Sequence, residues 1–202
     1  MAATDHLRSA SGLRVTTFKT LIGLLVATGL RPGEALRLDV GDVDLVSGIL
    51  TIRESKFGKS RFVPLDESVR VALANYGTFR DTVLPRRETP AFLVTERASR
   101  LGRDAVRRTF ANLCKAVGLR PMGHPRRVGH GPRLQDMRHS FATRRLIAWY
   151  RARLDVERLM PRLATYLGHC STVETYWYIQ AVPELLQLAT ERLEAPMREE
   201  VR

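Results

Sequence analysis

Near its C-terminal end the chain sets His169 ahead of Tyr176-Trp177-Tyr178, and elsewhere it places arginine at 31 and 138 and lysine at 56 and 59. These residue types suit chemistry on a phosphodiester. A phenol that attacks phosphorus stores the bond energy in a phosphotyrosyl ester, and a second hydroxyl can reverse the step without metal or nucleotide. Charge gathers on the nonbridging oxygens in the transition state, where planar arginine forks bind in pairs. A lysine on a turn can protonate the departing oxygen, and a phenol of pKa near ~10 needs help to lose its proton at neutral pH. Each residue also has a plainer account. Arg31 can close a helix C-terminus, Arg138 can sit on the surface, the lysines can keep a hairpin turn in water, and the aromatic triplet can be core.

Five segments, taken in order, weigh against the plainer accounts. They are Ala27-Thr-Gly-Leu-Arg-Pro-Gly-Glu-Ala-Leu-Arg-Leu, Lys56-Phe-Gly-Lys-Ser-Arg-Phe-Val-Pro-Leu, Gln135-Asp-Met-Arg-His-Ser-Phe-Ala-Thr, Leu167-Gly-His and Thr175-Tyr-Trp-Tyr. Together they resemble the boxes of the tyrosine recombinase (phage integrase) catalytic domain, over nearly the whole chain from about Thr16 to Leu193. The resemblance implies site-specific DNA cleavage and rejoining through a 3′-phosphotyrosyl intermediate. It makes Tyr178 the nucleophile, Arg31 and Arg138 the phosphate forks, Lys56 the general acid with Lys59 as its local competitor, and His169 a hydrogen-bond partner of the phosphate. It also implies no cofactor and no metal, with double-stranded DNA and a homo-oligomer on DNA, a tetramer, as partners. A C-terminal segment such as Pro183 to Leu193 resembles the part that docks on a neighbouring subunit.

One position departs from the family pattern. Histidine is usual where this chain has Gln135, and an amide hydrogen-bonds but cannot act as a general base. His139 lies close in sequence, one helical turn from Gln135, and need not reach the same atom. Glu34 reads as a support that orients neighbouring arginines or the start of its helix. Lys59, Arg61, Arg126, Arg127 and Arg133 are expected on DNA. Two other readings remain: a catalytically impaired or partner-dependent DNA-binding module lacking its core-binding domain, which Gln135 favours, and a type IB topoisomerase, which uses similar chemistry on supercoils.

Charge points to the same class of partner. The 33 Lys and Arg against 21 Asp and Glu leave a formal net charge of +12, and the isoelectric point is near 10.7. Nucleic acid releases many counterions at once to such a surface. The basic residues are spread through folded segments, unlike a membrane anchor. The apolar run Leu21 to Leu30 is broken by Gly23, Thr28 and Gly29 and falls short of the roughly 20 residues that span a bilayer. The first residues show no secretory pattern, so a cytoplasmic location is expected. Cys114 and Cys170 read as reduced thiols, and His124, His130, His139 and Cys170 lack compact zinc spacing.

The elements that must position these groups follow from periodicity. Phe18, Leu21, Ile22, Leu25 and Val26 predict a helix over Thr16 to Leu30, and Pro32 suits the first turn of a second, with a tight corner at Arg31. Gly48 to Arg53 and Arg61 to Leu65 predict two short strands joined by a basic turn. Asp66 caps a helix to about Arg80, another spans Arg103 to Val117, and residues 121–133 form a basic loop. Helices follow over Leu134 to Arg151, Met160 to Leu167 with Pro161 in its first turn, and Pro183 to Leu193. The expected fold is α+β, mainly helical with a small antiparallel sheet. Residues 16–195 form the catalytic domain, after an extension over 1–15 open to disorder and before a tail over 196–202.

Overall fold

The structure, a computed structural model, describes residues 4, 7, 9–53, 58, 60–120, 131–180 and 182–199. Among them are eight α-helices and a small three-stranded antiparallel sheet: α1 (Leu13–Thr28), α2 (Pro32–Arg37), β1 (Val43–Asp44), β2 (Ile49–Ile52), β3 (Arg61–Pro64), α3 (Glu67–Val83), α4 (Arg103–Ala116), α5 (Asp136–Arg151), α6 (Val156–Leu167), α7 (Val173–Gln180) and α8 (Pro183–Glu199). The chain divides into two compact units, Met1–Arg138 and His139–Arg202, with the division inside α5. No helix among the described residues is long and apolar enough to cross a membrane.

In the first unit α1 lies against α3. Leu21, Leu24 and Leu25 of α1 and Leu73 and Tyr76 of α3 are buried, each large apolar side chain contributing about 1.5–3 kcal/mol on removal from water. The polar atoms in this core are paired. Thr17 donates its hydroxyl to the Val94 carbonyl at 3.2 Å, and the Tyr76 hydroxyl accepts the Val94 N–H at 3.1 Å. Buried Arg80 donates to the Phe92 carbonyl at 2.8 Å and lies over the Tyr76 and Phe92 rings. β2 is the central strand, with Leu50 opposite both Val43 of β1 and Val63 of β3. All three side chains are buried.

Several boundaries differ from the sequence reading. α1 starts at Leu13, ahead of Thr16, after Gly12. Just before it, Ser9 and Ser11 donate to one Glu96 carboxylate oxygen at 2.5 and 3.2 Å. β1 adds a third strand, and α7 is a helix that periodicity did not reveal. α6 starts at Val156, capped by the Asp155 carboxylate, which accepts the Arg158 N–H at 3.0 Å. Pro161 therefore lies inside the helix and not in its first turn. The early start is driven by Val156, Met160, Leu163, Ala164 and Leu167, a buried stripe at helical spacing.

That stripe belongs to the core of the second unit. Phe141, Ala142 and Leu146 of α5 join it, with Tyr178 of α7 and Leu185 of α8. One of the two tyrosines singled out by sequence is thus a core residue.

Candidate active site

Arg31 occupies the corner between α1 and α2. Gly29 ends α1 with a left-handed backbone, φ 63°, and its N–H caps the Leu25 carbonyl; a side chain there would strain that turn. Pro32 opens α2 with its ring already at helical φ. Between them Arg31 is extended and its side chain is partly exposed, at 23%.

Glu34 holds this corner from inside. It is buried at 3%, and its carboxylate accepts the Arg31 N–H at 2.9 Å and an Arg31 guanidinium nitrogen at 3.1 Å. From β3, Arg61 donates both terminal nitrogens to the same carboxylate, at 3.0 and 2.9 Å. Burial alone would raise the Glu34 pKa; the hydrogen bond and charge of Arg61, joined by those of Arg31, bring it below its ordinary value. Glu34 is therefore an ionised bridge between two arginines. Arg61 was expected on DNA. Its fork is taken up by Glu34 and its side chain is only 10% exposed, a geometry suited to holding the Arg31 corner. Around the same elements Arg53 pairs with Asp42 at 2.6 Å and Arg100 pairs with Asp39.

Arg138, on the first turns of α5, is buried at 3% and donates to the Gly29 carbonyl at 3.0 Å. The second arginine is thereby tied to the turn that carries the first. At the start of α5, Asp136 accepts the Arg133 N–H at 2.7 Å, and the Arg133 carbonyl accepts the Asp136 N–H at 3.0 Å. Arg133 and Gln135 are exposed there. Lys56, Lys59, Arg126 and Arg127 lie outside the described residues, as does most of the basic loop.

The second unit carries the histidines and tyrosines. Gly168 ends α6 with φ 71°, a left-handed cap that glycine adopts readily, and His169 follows with its N–H on the Ala164 carbonyl at 2.9 Å. The His169 ring stacks on the Tyr178 ring, centroids 6.1 Å apart and planes 19° apart. Its Nδ1 lies 2.7 Å from the Thr175 hydroxyl. His139 meets Trp177 and Tyr178, each at 5.5 Å between centroids, and its Nδ1 is buried without a hydrogen bond among the described residues. Tyr178 is 4% exposed, whereas Tyr176 is 40% exposed and shares none of these ring contacts. Sequence reasoning passed over Thr175, although it stands in the quoted Thr175-Tyr-Trp-Tyr string.

Comparison with known proteins identifies the family. The model of the phage integrase family matches residues 5–184. A Sinorhizobium fredii (strain NBRC 101917 / NGR234) protein that carries the name integrase/recombinase y4rB is 44% identical over 183 residues, covering 90% of this chain and 57% of its own length. Tyrosine recombinase XerD of Mycobacterium leprae (strain TN) is 31% identical over 185 residues, covering 87% of this chain and 53% of its own. The chain thus spans little more than half the length of these relatives. The crystal structure of XerA recombinase superposes with a TM-score of 0.67 at 23% identity, covering 90% of this chain and 58% of that one, a likeness of fold. With the family model spanning most of the chain and the mainly helical fold shared, the protein belongs to the phage integrase family as a tyrosine recombinase catalytic domain.

Proposed function

We propose that the chain cleaves and rejoins DNA at specific sites through a 3′-phosphotyrosyl intermediate, with Tyr178 as nucleophile. The observation that carries this reading is the stack of Tyr178 on His169, which Tyr176 does not share. Attack by the Tyr178 oxygen on phosphorus forms the phosphotyrosyl bond and releases a 5′ hydroxyl, and the reverse step by a second 5′ hydroxyl reseals the strand. Arg31 and Arg138 supply forks for the nonbridging oxygens, His169 a further hydrogen bond, and Lys56 the proton for the departing oxygen. Glu34 and Arg61 hold Arg31.

Residues 16–195 serve as the catalytic domain. The partners are double-stranded DNA and further copies of the chain, assembled as a tetramer on DNA, and the location is cytoplasmic. The +12 net charge supports the DNA partner.

The test is a denaturing-gel assay for covalent protein–DNA adducts on nicked duplexes of pooled sequence. The chain is expected to form an adduct that Tyr178→Phe loses. An adduct that survives Tyr178→Phe moves the nucleophile to Tyr176. A second reading rests on Gln135, which puts an amide where the family usually has histidine: a DNA-binding module impaired in chemistry. Salt-sensitive binding with no adduct from either protein selects it.

A further inference from the structure

Thr175 is the most deeply buried polar side chain beside His169, with no exposed surface. It lies early in α7, and its backbone N–H already reaches the Thr172 carbonyl at 2.8 Å. Its hydroxyl oxygen is 2.7 Å from Nδ1 of His169, and among the described residues that hydroxyl has no other hydrogen-bond partner. Other threonines of the chain send theirs back along the helix, as Thr190 does to the Leu186 carbonyl at 3.0 Å. Thr175 does not.

A hydroxyl carries one hydrogen, and when buried that hydrogen needs an acceptor. The single candidate is Nδ1. A neutral imidazole has one donor nitrogen and one acceptor, and the partner of one nitrogen decides the role of the other. If Thr175 donates to Nδ1, the ring hydrogen sits on Nε2. A backbone carbonyl or carboxylate in the place of Thr175 would do the opposite and leave a lone pair at Nε2, which repels a phosphate oxygen. The stack on Tyr178 sets the plane of the ring, and Thr175 sets which edge donates.

We propose that Thr175 is a positioning residue that holds His169 in the Nε2–H tautomer, making the neutral imidazole a hydrogen-bond donor to a substrate phosphate. The role of the phosphate rests on the recombinase reading; the tautomer does not. The experiment therefore has two readouts. Long-range ¹H–¹⁵N correlation spectra of the full chain at pH 8 report the His169 tautomer, with the signals assigned through His169→Gln. Adduct formation on the nicked duplexes reports the chemistry.

Wild type and Thr175→Ser are expected to show the Nε2–H pattern and to form adduct at similar rates. Thr175→Val keeps the branched shape without the hydroxyl; it is expected to show mixed tautomers and adduct formation slower by roughly 10-fold, the worth of about one hydrogen bond to a charged group. An Nδ1–H pattern in wild type overturns the proposal whatever the variants do, so a poorly folding Thr175→Val leaves the test intact. The same tautomer in Thr175→Val as in wild type overturns it as well, and equal slowing of the Ser and Val variants with an unchanged tautomer reduces Thr175 to packing. A tautomer that follows Thr175 in a wild type that forms no adduct upholds the pairing and removes the recombinase reading instead.

Discussion

Arg61 lies fork-to-fork on Glu34, one terminal nitrogen on each carboxylate oxygen at 3.0 and 2.9 Å, while the same carboxylate holds Arg31 by backbone and side chain. Removing Arg61 leaves a buried carboxylate with half its partners, and losing one member of a buried pair costs about 3 kcal/mol or more. Arg61→Ala is expected to lower the denaturation midpoint and to slow adduct formation, by freeing Arg31. Arg61→Lys, which keeps the charge but not the fork, is expected to recover only part of either. Chemical denaturation and single-turnover adduct assays on both variants check this. Adduct formation at the wild-type rate in Arg61→Ala rules out the positioning role.

The same bridge makes stability depend on acid. The Glu34 pKa is held below its ordinary 4.5, so the folded state binds a proton there less readily than the unfolded chain. Its contribution is complete above about pH 4.5 and disappears as pH falls through the lower folded value. Asp44, Asp66, Asp81 and Glu96 are also lowered, so the wild-type curve alone does not isolate Glu34. The difference in melting temperature between wild type and Glu34→Gln does. That gap is expected to be constant near neutrality and to narrow below pH 4.5; a gap independent of pH excludes the ionised bridge.

Arg138 ties α5 to the Gly29 carbonyl at 3.0 Å. A lysine can reach one acceptor but cannot serve that carbonyl and grip a phosphate through a planar fork. Arg138→Lys is expected to fold within about 1–2 kcal/mol of wild type, given one charged hydrogen bond weakened, while its adduct rate falls by roughly 100-fold, as when one donor to a developing oxyanion is lost. Denaturation curves and adduct time courses on the same preparations separate the two effects. A rate loss no larger than the stability loss accounts for puts Arg138 in packing alone.

Arg133 is exposed at the start of α5, its backbone engaged with Asp136. If its side chain meets a DNA phosphate, Arg133→Ala weakens binding alike on all sequences and makes the slope of log K against log salt shallower by about 0.9. Fluorescence-anisotropy titrations at several salt concentrations measure it. An unchanged slope takes Arg133 off the DNA.

The α1–α2 corner is legible in the sequence because Gly29 and Pro32 are local signals, one for a left-handed cap and one for a first turn. The strands about the basic turn are legible for the same reason, in that β-branched runs and turn residues act on their neighbours. α7 is not, since Val173-Glu-Thr-Tyr-Trp-Tyr-Ile-Gln is rich in residues that favour strands, and packing on α6 and α8 decides its form. Pro161 misleads because its usual place is a first turn, whereas the Asp155 cap and the apolar stripe start the helix earlier. The candidate site divides in the same way. The spacing of the resembled family favours Tyr178 over Tyr176, but it cannot reveal that Glu34 meets a strand residue such as Arg61, a pairing made only when β3 folds beside α2. Nor can spacing rank Thr175 above any other threonine, because its importance is the geometry of one hydrogen.

Tyr178 belongs to the hydrophobic core of its unit, alongside Met160, Leu163, Leu167 and Leu185. If Tyr178 is the nucleophile, one ring has to serve both the packing of its unit and the chemistry. Substitutions at Met160 or Leu167, both fully buried in that cluster, are then expected to change adduct formation together with stability. On that reading the core's tolerance of mutation and the rate of adduct formation vary as a single trait.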